Sequence, residues 1–155
     1  MEAPVGLVIR PATVDDADDL FRIHQSSIEG INPNFYSEKQ KNAWRAAVTH
    51  ESWPTRILEL TSFVATIEGE VVGFVAWHDS EIEQIFVAPD FGKLGIGRTL
   101  MSFALEKTPV QDMYLVASLN AVEFYEWFGF RPVEQMIRQR GGVDIPCIRM
   151  KRPCV

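Results

Sequence analysis

The stretch that most restricts how this chain can fold runs from Glu81 to Lys107, EIEQIFVAPDFGKLGIGRTLMSFALEK. An apolar run of Ile85, Phe86 and Val87 stops at Pro89, and a glycine-rich turn containing Gly92, Gly95 and Gly97 follows. Apolar residues then recur at helical spacing through Leu100, Met101, Phe103, Ala104 and Leu105. The pattern predicts strand, turn, helix. The first turn of a helix leaves backbone N–H groups without partners, and the helix dipole adds partial positive charge there. A diphosphate could therefore rest on the amides of Gly92, Lys93, Leu94, Gly95, Ile96 and Gly97, with Lys93 and Arg98 adding charge and Thr99 a hydroxyl. The plainer reading, a loop followed by a helix start, fits the glycines equally well when they are taken alone.

Two general diphosphate fingerprints fit this turn poorly. The Rossmann pattern G-x-G-x-x-G would begin at Gly95 and Gly97, but its third position needs a small residue and holds Leu100. The P-loop pattern has Gly92, Gly97 and Thr99 in register, yet Arg98 stands where the phosphate-reaching lysine belongs, and a rigid guanidinium fork does not replace a slender point charge. The next strand candidate, Met113 to Ala117, also ends without a carboxylate to hold magnesium.

A third pattern fits better. The run IFVAPDFGKLGIGRTLM resembles motif A of the GNAT superfamily of acyl-CoA-dependent N-acetyltransferases, with Ile85, Phe86, Val87, Pro89, Gly95 and Gly97 matching and Gly92 standing where glutamine or arginine is usual. Downstream, SLNAVEFYEWFGF, from Ser118 to Phe130, resembles motif B of the same superfamily. The resemblance covers about residues 7 to 151 and is weakest between Glu29 and Leu60. It implies acetyl-CoA as co-substrate, held on the turn, with backbone groups near Ile85, Phe86 and Val87 binding the pantetheine arm where the fourth strand splays from the fifth. It further implies that Tyr125 donates a proton to the departing thiolate, and that Ser118 or Asn120 holds the pantetheine arm. Unpaired tyrosine has a pKa near 10, suited to an acid for a thiolate; the competing reading of Tyr125 is an aromatic packed on the sheet. Acetyl transfer to an amine also needs a proton acceptor. Glu81 and Glu83 are the candidates, with His78 or a water chain as the alternative. On an unbulged strand Glu81 and Glu83 share a face with Ile85 and Val87, while Gln84 and Phe86 face the other way; a bulge would reverse that relation beyond itself. Both glutamates could equally be solvated.

The remaining elements fit the same class. Leu7 to Arg10 reads as a strand, and Thr13 with Asp15 and Asp16 begins a helix that runs to about Ser27, placing Ala17, Leu20, Phe21, His24 and Ile28 on one face. His24 is expected to be a core or boundary residue first and an acceptor-site residue second. Ser37 and Gln40 form a capping-box pattern for a helix to about Val48, and a short helix is expected around Pro54 to Leu60. Phe35, Tyr36, Trp44 and Trp53 make this region aromatic, with packing under the sheet as the default and lining of an acceptor pocket as the second reading. Ser62 to Ile67, Val71 to His78 and Ile82 to Val87 read as strands, the first two as a hairpin about Glu68, Gly69 and Glu70. A motif B helix from about Asn120 to Phe128 and a closing hairpin, Arg131 to Arg140 with Val143 to Lys151, complete the chain. The expected fold is α/β and GNAT-like: a mixed, mostly antiparallel central sheet of about seven strands flanked by about four helices, with residues 1–155 forming one domain.

Composition removes several function classes. The 155 residues are 46% hydrophobic and 23% charged, ordinary for a globular protein with a proper core. The net charge of −6 argues against coating nucleic acid, despite basic clusters at Arg138 and Arg140 and at Arg149, Lys151 and Arg152, and weakly favours a cationic acceptor. No apolar run approaches membrane-spanning length, the N-terminus does not read as a signal peptide, and a cytoplasmic protein is expected. Cys147 and Cys154 read as free thiols, and the scattered His24, His50 and His78 suggest no metal site. The function expected is acetyl transfer from acetyl-CoA to a primary amine of a small molecule by direct attack in a ternary complex. Neither nucleic acid nor membrane is an expected partner, and a homodimer is left open. A non-catalytic acyl-CoA sensor is the alternative, and a P-loop nucleotide hydrolase a distant third.

Overall fold

The computed structural model describes residues 3–154. Its strands are β1 (Leu7–Pro11), β2 (Thr61–Ile67), β3 (Glu70–His78), β4 (Glu81–Val87), β5 (Met113–Ser118), β6 (Arg131–Arg140) and β7 (Val143–Arg152). They form one seven-stranded sheet in the order β1-β2-β3-β4-β5-β7-β6. Every neighbouring pair is antiparallel except β4 and β5, which run parallel. The helices are α1 (Ala17–Glu29), α2 (Glu38–Ala47), α3 (Trp53–Glu59), α4 (Ile96–Lys107) and α5 (Val122–Trp127). The mixed, mostly antiparallel sheet is the one expected, with five helices rather than about four. An antiparallel meander from β1 to β4 is incompatible with the parallel βαβ sheets of Rossmann and P-loop proteins.

Local chemistry fixes the helix starts. Asp16 accepts from the Thr13 N–H at 2.9 Å and from both Nη atoms of Arg10 at 2.8 and 2.9 Å, so its carboxyl lies below the ordinary range, chiefly through the Arg10 hydrogen bonds. The helix expected from Thr13 is in fact a 3-10 turn over Val14–Asp16 followed by α1. Ser37 and Gln40 do form the capping box of α2, with N–H to side-chain oxygen distances of 2.9 and 3.1 Å.

The sheet is covered on both faces. Val72, Val75 and Trp77 of β3 pack with Ile82, Leu100, Met101 and Phe130 on one side; Val71, Phe74 and Ala76 pack with Leu20, Ile23, Trp53 and Ile57 on the other. That explains why β3 is apolar without alternation. At its centre, Gly73 permits close approach of α4: a Cβ there would lie 2.9 Å from Leu100 Cδ1 and 3.3 Å from both Ile96 Cγ2 and the Phe86 carbonyl oxygen.

Two irregularities position the site. Ala76 pairs with Gln84 but Trp77 pairs with Ile82, so Glu83 is an extra residue, a β-bulge in β4. The parallel strands β4 and β5 pair only through Glu81 with Tyr114 and Ile82 with Leu115, and beyond Ile82 they part.

Candidate active site

The parted strands open a cavity of about 450 Å³, lined on the β4 side by Glu83, Gln84, Ile85, Phe86 and Val87 and on the β5 side by Val116 and Ser118. Antiparallel ladders alternate the direction of their backbone groups. Ala88 donates its N–H to the Val72 carbonyl at 2.8 Å, and counting back by twos sets the Phe86 and Gln84 backbones against β3 and turns those of Ile85 and Val87 toward the gap. Ser27 Oγ donates to the Val87 carbonyl at 3.2 Å. Of the three backbones expected to meet the pantetheine arm, that of Phe86 is therefore occupied by β3, and its ring instead packs edge-on to His24 and Trp53.

The bulge takes Glu81 off the face of Ile85 and Val87. Ile82, Ile85 and Val87 pack on the same face, which leaves Glu81 on the opposite one, where its Oε1 accepts from Arg149 Nη1 at 3.1 Å. Glu81 does not line the cavity, and the expectation that it shares a face with Ile85 and Val87 is corrected by the bulge, in which Glu83 is the extra residue. Glu83 lines the cavity. His78 sits at the far end of β3, exposed beside Asp79 at 3.3 Å and away from the cavity.

The glycine turn follows β4. Gly95 caps α4 in the left-handed region at φ 82, a conformation a side chain would strain. Gly92 donates its N–H to the Pro89 carbonyl at 3.1 Å and Thr99 to the Gly95 carbonyl at 3.0 Å, but among the described residues the N–H groups of Lys93 through Arg98 have no hydrogen-bond acceptor. Such a run of free amides at a helix start can hold an anion. The side chains expected to assist it are differently engaged. The Thr99 hydroxyl donates to the Gly95 carbonyl at 2.9 Å, and the Arg98 guanidinium lies over the Trp127 ring, 4.5 Å from its centroid. Lys93 is exposed, with its own φ at 64. A Cβ on Gly97 would meet Phe124 of α5 at 3.4 Å, so this glycine also serves the packing of α4 on α5.

Motif B forms the floor. Tyr125 is buried against Phe124 and Phe130 and lines the cavity, and no described residue hydrogen-bonds to its hydroxyl. Burial raises its pKa, which keeps the phenol protonated. Ser118 and Asn120 both line the cavity.

The far end of the cavity is built from segments distant in sequence. Tyr36 is fully buried; its hydroxyl donates to the Pro146 carbonyl at 2.6 Å and accepts from the Leu119 N–H at 2.9 Å, clamping the 29–36 loop to β7 and to the start of motif B. Lys41, itself buried, donates to the carbonyls of Glu29 and Ile31 at 3.1 and 2.9 Å and ties the loop to α2. Trp44 joins Tyr36 in the lining, whereas Trp53 is wholly in the core and Phe35 is exposed. His24 is both core and lining: desolvation, with a smaller contribution from Arg56, lowers its pKa to about 4, and its Nδ1 has no partner among the described residues. Gln84 Oε1 is likewise buried without a partner. Arg138, Arg140 and Cys147 complete the wall. Cys147 and Cys154 are free thiols, the first buried, the second exposed. Sequence reasoning passed over Gln84, Arg138 and Arg140 as site residues; the i, i+2 spacing of the two arginines on a strand was the available signal. Among the described residues no group of His, Cys, Asp and Glu is placed to hold a metal, and no helix is long and apolar enough to cross a membrane.

Known proteins resemble this chain in sequence and fold. The family model described as an acetyltransferase (GNAT) domain matches residues 33–152. An uncharacterized N-acetyltransferase of Methanocaldococcus jannaschii is 31% identical over 143 residues, 81% of this chain; the chain spans 61% of that relative's length. The uncharacterized N-acetyltransferase YafP of Escherichia coli is 28% identical over 130 residues, 84% of this chain and 85% of the relative. Among solved structures, a GCN5-related N-acetyltransferase of Rhodopseudomonas palustris superposes with a TM-score of 0.91 at 26% identity, covering 99% of this chain and 97% of the other. With the parted β4 and β5, the cradle at α4 and motif B in place, the chain belongs to the GNAT superfamily of acetyl-CoA-dependent N-acetyltransferases.

Proposed function

We propose that this protein transfers an acetyl group from acetyl-CoA to a primary amine of a small molecule, by direct attack in a ternary complex. The observation that carries the reading is the junction of the gap beyond Ile82 with the free amides of Lys93 through Arg98. The amides take the diphosphate, and the Ile85 and Val87 edge receives the pantetheine arm, with Ser118 or Asn120 against it. The acceptor enters the end walled by Tyr36, Trp44 and the β6–β7 hairpin; the whole cavity, including the strand edge that receives pantetheine, is about 450 Å³, a size that suits a small molecule. Glu83, directly or through a water, takes the proton from the amine, which is otherwise almost wholly protonated at neutral pH. Tyr125, held in its phenol form by burial, donates to the sulfur as the carbon–sulfur bond breaks and the carbon–nitrogen bond forms.

The reading is tested by the release of free coenzyme A thiol from acetyl-CoA over a panel of small amines and peptides. Acceptor-dependent release with small amines is expected. Coenzyme A binding without release for any acceptor would mean a sensor, and release with peptides alone would move the acceptor class to protein N-termini or lysines.

A further inference from the structure

The charges on the acceptor walls are segregated. Arg138 and Arg140 stand two apart on β6 and line the cavity from the hairpin side, and Glu83 on β4 is the one carboxylate in the lining among the described residues. Among the described residues neither arginine has a carboxylate within ion-pair distance, although the chain carries 21 acidic residues against 15 basic ones. The acidic residues near the hairpin are used elsewhere or lie apart: Asp144 accepts from the Gln139 amide at 2.9 Å. Behind the arginines stands a third cation, Arg56, whose guanidinium sits 5.6 Å from the Trp53 ring centroid. Its pKa is lowered first by burial and then by the neighbouring Arg140. Like charges gathered without a counter-ion repel one another, and an anion placed between them relieves that repulsion. On the same cavity, Gln84 Oε1 is a buried acceptor and His24 Nδ1 a buried ring nitrogen, both without a hydrogen-bond partner among the described residues, a condition that costs free energy until a partner arrives.

We infer that the acceptor carries a carboxylate as well as its amine, an amino acid or a close analogue, with the carboxylate forked by Arg138 and Arg140 and the amine turned toward Glu83 and β4. This rests on the acetyl-transfer reading and narrows its substrate class. The net charge of the chain, which weakly favoured a cationic acceptor, comes from carboxylates outside this cavity; the field that a bound molecule meets is set by the walls. A guanidinium pair accepts the planar oxygens of a carboxylate with parallel hydrogen bonds, and a phosphonate engages the same donors with a different geometry and charge.

The test compares free amino acids with their decarboxylated amines, their carboxamides and the matching aminophosphonates as acceptors. Turnover is read by thiol release, and equilibrium binding to the coenzyme A complex by calorimetry. The kcat/KM of free amino acids should exceed that of the decarboxylated amines and carboxamides by roughly 10- to 100-fold, the range expected for hydrogen bonds to a charged group. In an Arg138→Gln/Arg140→Gln double variant that ratio should fall toward unity through KM, and the double lysine variant should restore part of it. A preference for aminophosphonates would assign the site to a phosphorylated acceptor and overturn the carboxylate. Equal or better activity with the decarboxylated amines, or a ratio unmoved in the glutamine variant, would also overturn the inference. Should no amine of any kind release thiol, the acetyl-transfer reading fails. Calorimetry then decides the remainder: amino-acid binding that the double variant abolishes upholds the carboxylate site, and absence of such binding in the unmodified protein overturns it.

Discussion

At the scale of single residues, the bulge at Glu83 bears on which glutamate lines the cavity. Glu83→Gln should lower kcat/KM at pH 7 and weaken the acidic limb of the pH–rate profile, with partial recovery at high pH where free amine is plentiful. Glu81→Gln should leave that profile in place and cost at most about 1 kcal/mol of stability, since its ion pair with Arg149 is partly exposed; matching kinetic losses in the two variants would contradict the assignment. Tyr125→Phe keeps the buried ring and removes the donor, so kcat should fall by roughly 10² while coenzyme A affinity holds. Equal turnover would reduce Tyr125 to packing. His24 makes a statement about pH. Its folded pKa of about 4 lies below the ordinary 6.5, so between those values the unfolded chain binds a proton that the folded one refuses. Its contribution is complete above pH 6.5 and lost as pH falls toward 4, about 3 kcal/mol in all. The stability gap between the protein and His24→Gln, measured by urea unfolding, should narrow by that order from pH 7 to pH 4; a constant gap would contradict the burial argument. The sequence placed His24 on the buried face of α1 from its helical period alone, but not its contact with Phe86, which depends on a strand more than sixty residues away.

At the scale of elements, the seating of α4 on β3 joins fold to site, because the first turn of α4 is the proposed cradle. Gly73→Ala places a methyl group within contact-breaking distance of Leu100, Ile96 and the Phe86 carbonyl, and overpacking of this kind costs about 1–3 kcal/mol. The variant should unfold at lower denaturant and also bind coenzyme A less tightly, since α4 must lift or tilt; unchanged affinity would show that the cradle does not depend on this seating. The strands, both hairpins and α4 were legible from local pattern, because apolar runs, turn residues and helix caps act over a few positions. The bulge was not, since it is a mismatch between partner strands, and its consequence for Glu81 appears only when β3, β4 and β7 are read together. Tyr36 was ambiguous for the same reason: its two hydrogen-bond partners, at Pro146 and Leu119, lie across most of the chain. Arg138 and Arg140 read as two more charges on an exposed strand, and only the fold of α2 and the 29–36 loop against β7 makes them a wall.

At the scale of the whole molecule, β1 to β4 and the two helical layers form a scaffold whose single parallel junction, β4 with β5, is left incomplete beyond two residue pairs. Everything assigned to function lies along that opening: the amide run at one end, Tyr125 and Glu83 along it, and the hairpin arginines at the other. On the proposed function, the motif glycines and the Ile85–Val87 run are contiguous because strand edge and cradle meet one extended ligand. The most direct test of this account is amide hydrogen exchange, resolved by residue, with and without acetyl-CoA. In the free protein the N–H groups of Lys93 through Arg98 have no acceptor and should exchange fast. With saturating acetyl-CoA they should slow by roughly tenfold or more, together with Ile85 or Val87, as the diphosphate and pantetheine become their partners. Protection confined to other segments, with these amides still exchanging freely, would contradict it.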